Sequence, residues 1–425
     1  MKQSLQRVAI VGGARIPFAR SNGAYAEASN KDMLTATLRG VVDKFQLHGE
    51  RLGEVAAGAV LKHSRDFNLC RESALSCGLA PETPAFDVQM ACGTGLQSAV
   101  TIANKIAVGQ IDSGIAGGVD TTSDAPIGVN ERLRKILLEA NRAKSHSARL
   151  KVLARFRPSM LAPATPAVTE PRTRMSMGQH AEATAKVWGI TREEQDQLAF
   201  ESHQKAAAAY EAGFYADLVV PFRGLERDNN LRADISLEKM ASLKPAYDRA
   251  SGTLTAANST PLTDGASAVL LASEDWAAAR GLEPQAYLVH AQTAAVDFVG
   301  GNEGLLMAPT YAVPRMLDRA GLSLQDFDFY EIHEAFAAQV LCTLKAWNDP
   351  RFCAEQLGLS GVLGTIDRSR LNIRGGSVAL GHPFAATGAR ILATLARIID
   401  DNRGGRGLIS ICAAGGLGIT AIVER

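Results

Sequence analysis

The chain repeats itself in outline, and that constrains its fold more than any single motif does. An apolar run, Arg7-Val8-Ala9-Ile10-Val11, is answered by Ala286-Tyr287-Leu288-Val289-His290-Ala291. A helical pattern over 32–45 is answered at 314–320, where Pro314 is expected to open the helix. Strand patterns at 52–61 and 324–333 correspond. So do the glycine-flanked turns around Cys92 and His382, each followed by a helix-period run. The glycine-rich strand 113–120 is matched by 407–418. The letters agree weakly and the order of elements agrees well, which is how a duplicated unit reads. Alternating strands and helices call for a layered α/β fold around a largely buried sheet. With 425 residues, 46% of them hydrophobic and 21% charged, the chain can fill two such cores.

The spacing predicts three parts. Residues 1–121 with 259–282 form the first half, 283–425 the second, and 122–258 an insertion of helices and loops. Within the insertion, residues 131–157 carry nine Lys or Arg against Glu131 and Glu139, interleaved with leucines. This is an amphipathic basic helix or helix pair: a solvated face, or a surface for an anionic ligand, a membrane or a partner protein. Residues 158–171 hold four prolines and read as an irregular loop. Thr191 with Glu193 and Glu194 caps a long helix. A turn-forming stretch at 256–265 returns the chain to a strand expected at 266–271.

Cys92 stands where a short strand, 85–88, gives way to a helix beginning near Gly95. A helix N-terminus favours an anion, so the spacing predicts a lowered thiol pKa and an activated nucleophile. The bland alternative is a small buried hydrophobe, the usual fate of a free cysteine. If the halves pack as a pseudo-twofold pair, Cys92 and His382 occupy equivalent turns that can face one pocket, as a nucleophile and its base do. The small residues around His382 predict an imidazole without a bulky shell. His333 lies at a strand end and reads either as a functional group or as a satisfied polar residue. Cys412 precedes Ala413-Ala414-Gly415-Gly416, a tight turn whose backbone N–H groups can hold an oxyanion.

Several classes are excluded or disfavoured. A net charge of +1 gives no drive toward nucleic acid. Six cysteines in a chain this long are no disulfide framework, and neither Cys nor His falls at zinc-like spacing, so no metal is expected. Gly12-Gly13 lacks the later glycines of a dinucleotide fingerprint. The N-terminus lacks a signal-peptide pattern and no apolar run could span a bilayer, so a cytoplasmic setting is expected.

The residues carry a resemblance to the thiolases. It rests on the Cys92 block, His333-Glu334-Ala335-Phe336, Gly381-His382-Pro383 and Cys412-Ala413-Ala414-Gly415-Gly416-Leu417-Gly418. It extends through 177–182, 258–265 and Gly375-Gly376, in collinear order over essentially the whole chain. Where most thiolases have Asn this chain has His333, and where most have Gly it has Ala414. Those departures, with the 258–265 stretch and the basic 131–157 stretch, are similar to the β subunit of trifunctional-type fatty-acid oxidation complexes.

The resemblance implies a thiolase fold, a duplicated five-layered α-β-α-β-α core with an inserted helical and loop subdomain. It implies thiolytic cleavage of a 3-ketoacyl-CoA, with coenzyme A as co-substrate and no bound cofactor. Cys92 would carry the acyl group, His382 activate it, Cys412 act as acid and base, His333 hold the enolate oxygen and the Ala414 amide serve a second oxyanion hole. Met177, Thr260, Met307 and Phe336 match positions lining the pantetheine or acyl pocket, and Ser176 stands where many thiolases place a pantetheine-contacting His. The insertion would supply contacts to the CoA phosphates. A homodimer or homotetramer is implied, as are an enoyl-CoA hydratase/3-hydroxyacyl-CoA dehydrogenase α subunit and peripheral membrane contact through 131–157. A biosynthetic acetoacetyl-CoA thiolase, a decarboxylating ketoacyl synthase and a non-catalytic acyl-CoA or lipid carrier are the alternatives; competent residues at all four catalytic positions weigh against the carrier.

Overall fold

A computed structural model describes residues 5–301 and 303–425. Ten strands occur among them: β1 (Val8–Arg15), β2 (Ala19–Arg20), β3 (Glu54–Ala57), β4 (Ala85–Asp87), β5 (Ser113–Asp120), β6 (Thr263–Ser273), β7 (Ala286–Ala295), β8 (Phe329–Ile332), β9 (Arg406–Ala413) and β10 (Leu417–Glu424). Their order across the sheet is β4-β3-β5-β6-β1-β7-β10-β9-β8, with β2 attached to β6.

The two halves mirror one another about the β1–β7 contact, where Ala9 pairs Tyr287 and Ile10 pairs Ala286. Moving outward, β1-β6-β5-β3 is matched by β7-β10-β9-β8. In each half the inner pairings are antiparallel and the outer one, β5 with β3 or β9 with β8, is parallel. An isolated parallel bridge from Tyr330 to Leu371 stands where β4 lies beside β3 in the first half.

Each half-sheet is covered on both faces. The helix Asn30–Lys44 packs on the outer face of the first, and Ala308–Ala320 with Ala337–Trp347 lie over the second. Between the halves run two helices, Thr94–Ala107 and Thr387–Asp401, which pack on each other and on both half-sheets. The layers are therefore α-β-α-β-α. The central helices cross where both lack side chains. A Cβ on Gly388 would lie 2.2 Å from the Leu96 nitrogen, and one on Gly95 2.6 Å from that of Ala389. That approach brings the N-terminal ends of both helices, and the turns preceding them, to one place.

Local signals placed several elements. Ser29 caps its helix reciprocally with Asp32, and Thr191 does so with Glu194 at the start of Arg192–Glu211. Three expectations fail at the edges. Pro314 lies inside a helix that opens at Ala308, because Pro309 in the first turn is the better initiator. The strand expected at 266–271 begins at Thr263, since Asp264 and Thr263 pair with Ala19 and Arg20 of β2. Of 324–333 only Phe329–Ile332 is strand. Residues 131–157 form two helices, Glu131–Arg142 and His146–Leu153. Only the first is amphipathic: Ile136 and Ala140 are buried there, whereas the second buries no residue.

Candidate active site

Cys92 sits in a turn with a cost built into it. Ala91 is left-handed at φ 45°, a region that strains a residue bearing a Cβ. Thr94 holds the turn: its hydroxyl donates to the Ala91 carbonyl at 2.7 Å and accepts from the Met90 amide at 2.8 Å. The helix Thr94–Ala107 follows at once. His382 comes from the equivalent turn of the second half. Gly381 precedes it at φ 109°, against Thr263, whose hydroxyl accepts from the His382 amide at 2.7 Å. The strand beginning early, at Thr263, is thus what seats His382.

The two turns meet as the repeat predicts. His382 Nε2 lies 3.1 Å from Cys92 Sγ, and His382 Nδ1 lies 2.6 Å from Thr387 Oγ1. The His333 ring packs 4.2 Å from that of His382, centroid to centroid. Ligating atoms of Cys92, His333 and His382 fall within 4.8 Å of one another. A sulfur and two imidazoles could also grip a zinc-like ion. Contrary to the expectation of an open shell, His382 is flanked by aromatic rings, His333 on one side and Phe384 on another.

Cys412 is buried at the end of β9, next to Cys92, and lines a narrow crevice with His333, Gln339, Thr343, Ile332 and Pro309. The Ala414 amide lies close enough to Cys92 to favour its thiolate form. That turn is strapped by the insertion: Glu170 accepts from the Gly415 amide at 2.8 Å. Thr169 and Ser176 pair beside it, bringing the 158–177 loop against the site.

The pKa directions correct one expectation. Burial pushes the Cys92 thiol up to about 12, the Ala414 amide opposing it only in part. Burial also holds His382 down at about 3, with the Arg390 charge adding to the effect. His333 is held well below its ordinary value by burial, then by His382 and Arg390. The helix end does not leave a resting thiolate, because removing the sulfur from water costs more than the turn's dipoles return. The pair rests as thiol and neutral imidazole. Cys412 is likewise raised by burial and by Cys92, which favours its protonated thiol.

The remaining residues fall in two places. Thr260 donates from its amide to the Ala335 carbonyl at 3.1 Å, Ser259 bridges to Phe336, and Phe336 meets Tyr247 edge-on. Tyr247 also covers Gly178, the neighbour of Met177. Met177, Thr260 and Phe336 therefore line one region with Tyr247, which the sequence did not suggest. Met307 is buried and its sulfur accepts from Gln339, which lines the crevice beside His333 and Cys412.

Other groups were also missed. Ser377, Thr387 and Arg390 stand behind the two imidazoles. Glu334 is buried, accepting from Ser202, Asn372 and the Val378 amide. The polar residues that follow His382 at helix spacing were the available signal for Thr387 and Arg390.

A duplicated five-layered fold whose paired turns bring Cys92, His382, His333 and Cys412 together defines a class. The chain belongs to the thiolase family: residues 8–275 match the model of the thiolase N-terminal domain, and 282–425 that of the C-terminal domain. It is 42% identical over 424 residues to a 3-ketoacyl-CoA thiolase of Yersinia pestis (strain Pestoides F), covering 98% of this chain and 97% of the relative. A 3-ketoacyl-CoA thiolase of Shewanella sediminis (strain HAW-EB3) is similar to the same extent, 42% over 424 residues, with 98% and 97% covered. Among solved structures, human mitochondrial 3-ketoacyl-CoA thiolase superposes with a TM-score of 0.82 at 28% identity. The acetyl-CoA acetyltransferase of Bacillus anthracis does so with 0.82 at 29%; in both cases 99% of each chain is covered.

Proposed function

We propose that the protein is a 3-ketoacyl-CoA thiolase of fatty-acid breakdown, cleaving its substrate with coenzyme A to acetyl-CoA and a shortened acyl-CoA. The observation that carries this is the 3.1 Å contact of His382 Nε2 with Cys92 Sγ, in a chain 42% identical over its length to 3-ketoacyl-CoA thiolases.

In this reading His382 takes the Cys92 proton as the sulfur attacks the 3-keto carbon; the neutral resting pair defers charge separation until a carbonyl is there to receive the electrons. The bond between C2 and C3 breaks. Its electron pair becomes an enolate whose oxygen is held by His333 and His382, and Cys412 protonates C2 to release acetyl-CoA. Coenzyme A then enters, gives its thiol proton to the site and takes the acyl group from Cys92. The Cys92 and Ala414 amides hold the oxyanion of that second step. Ala in place of Gly at 414 removes no donor. Met177, Thr260, Met307 and Phe336 line the pantetheine and acyl path.

Coenzyme A serves as co-substrate, and none of these steps calls on a metal. We assign its phosphates to the 122–258 insertion, a role supported by the nine Lys and Arg of its 131–157 stretch. The hairpin 131–157 leaves Leu137, Leu138, Leu150 and Leu153 exposed among its cations. That supports a docking role, toward the α subunit or the membrane surface that the resemblance implies, on a homodimer or homotetramer. Among the described residues no helix is long and apolar enough to cross a membrane. The six free cysteines support a reducing, cytoplasmic setting.

Thiolysis of 3-ketoacyl-CoA substrates from C4 to C16 tests the reading, with Cys92→Ala as control. Cleavage that vanishes in the variant is expected. Absence of cleavage at every length, with acyl-CoA still bound, would leave the carrier alternative standing.

A further inference from the structure

We infer that Arg390 and Ser377 form a buried relay that holds His333 in the tautomer carrying its proton on Nε2, which makes Ser377 a positioning residue for the enolate. The inference rests on the reading of His333 given above.

Ser377 Oγ lies 2.8 Å from His333 Nδ1 and 2.6 Å from Arg390 Nη2. A guanidinium has only donors, so the serine oxygen accepts from Arg390. The serine hydroxyl then has one hydrogen to place, and among the described residues its hydrogen-bond partner on that side is His333 Nδ1. With Nδ1 accepting, the imidazole proton must sit on Nε2. That nitrogen is buried and has no partner among the described residues, so it is a donor kept for something the protein itself does not supply. The other tautomer would leave the one Ser377 hydroxyl hydrogen buried without an acceptor among the described residues.

The relay is held from both sides. Arg390 is 1% exposed, with its Nη1 4.0 Å from the buried Glu331 carboxylate. Ser377 is locked by its neighbours in the chain. The Gly376 amide donates to Ser202 Oγ at 2.9 Å, Ser202 donates to Glu334 Oε2 at 2.8 Å, and the Val378 amide donates to the same oxygen at 3.2 Å. Glu334 follows His333 directly. One dipeptide thus presents the imidazole and clamps the backbone on either side of the hydroxyl that orients it. A neutral Nε2–H gives an enolate oxygen a fixed donor without a proton to lose, which is what an oxyanion site requires.

The test separates carbon–carbon cleavage from acyl transfer. Exchange of labelled coenzyme A into an acyl-CoA uses Cys92, His382 and the two amides but forms no enolate. In Ser377→Ala, the single-turnover rate of 3-ketoacyl-CoA cleavage should fall at least about 10-fold, as when a partner orienting a functional imidazole is removed. Exchange should stay within about twofold, and Ser377→Thr should recover most of the cleavage rate. Cleavage and exchange falling together, or cleavage unchanged, would overturn the relay. His333→Ala run alongside distinguishes the two levels: if it too leaves cleavage intact, the enolate assignment of His333 is what fails.

Discussion

Thr387→Val removes one oxygen from beside His382 and keeps the branched shape of the side chain. For His382 to accept the Cys92 proton, its Nε2 lone pair must face the sulfur, 3.1 Å away. Nδ1 then carries a hydrogen and donates it to Thr387 Oγ1 at 2.6 Å. At rest the imidazole is neutral and that bond is of the ordinary kind, about 0.5–1.5 kcal/mol net. As the thiol proton arrives the ring becomes cationic, and a hydrogen bond from a charged donor is worth about 1.5–3 kcal/mol. Only the difference speeds the reaction, because the resting part is common to ground and transition states. That difference, about 1–1.5 kcal/mol, corresponds to a loss of about 5- to 13-fold in the rate of Cys92 acylation. The assay is single-turnover acylation by 3-ketoacyl-CoA beside alkylation of Cys92 by iodoacetamide, since both need the thiol proton to leave through His382. Both rates should fall together. A variant that loses thermal stability but acylates within about 1.5-fold of the parent would refute the argument, because the bond would then be structural and insensitive to the charge on His382.

Two further outcomes follow from the same geometry. Burial lowers His382 from 6.5 to about 3 and raises Cys92 from 9.0 to about 12, so neither group changes charge across the neutral range. A lowered histidine pKa moves the acid limb down and a raised thiol pKa moves any basic limb up. The kcat/KM profile for the 3-ketoacyl-CoA substrate should thus lack the inflection near 6.5 that an ordinary catalytic histidine would give, as initial rates across pH would reveal. At the helix crossing, Gly388→Ala places a methyl 2.2 Å from the Leu96 nitrogen, where backbone must move. It should cost about 1–3 kcal/mol or more by denaturant unfolding, and it should lower activity beyond that loss because it parts the two turns that present Cys92 and His382.

Much of this molecule is legible without coordinates. Glycine-flanked turns mark the central helices, and capping residues mark Asn30–Lys44 and Arg192–Glu211. The order of elements exposes the duplication, and the duplication by itself pairs the Cys92 turn with the His382 turn. Local signals were weaker where two of them competed: Pro309 and Pro314 both offer a helix start, and only packing on β7 and β10 shows that the earlier one wins.

Tertiary structure decided the electrostatics and the supporting shell. A turn that reads as thiolate-stabilising instead holds a thiol whose pKa is raised once the surrounding layers partly bury it, because desolvation depends on everything packed nearby and no local window records it. Ser377, Arg390 and Glu331 are spread over some sixty residues of chain and meet only when the Thr387–Asp401 helix is sandwiched between the half-sheets. The sequence determined which turns face one another, since those repeat with the fold and carry Cys92 and His382. The protonation states they rest in, and the hydroxyls that orient them, follow from burial and from contacts between distant segments, which exist only in the folded chain.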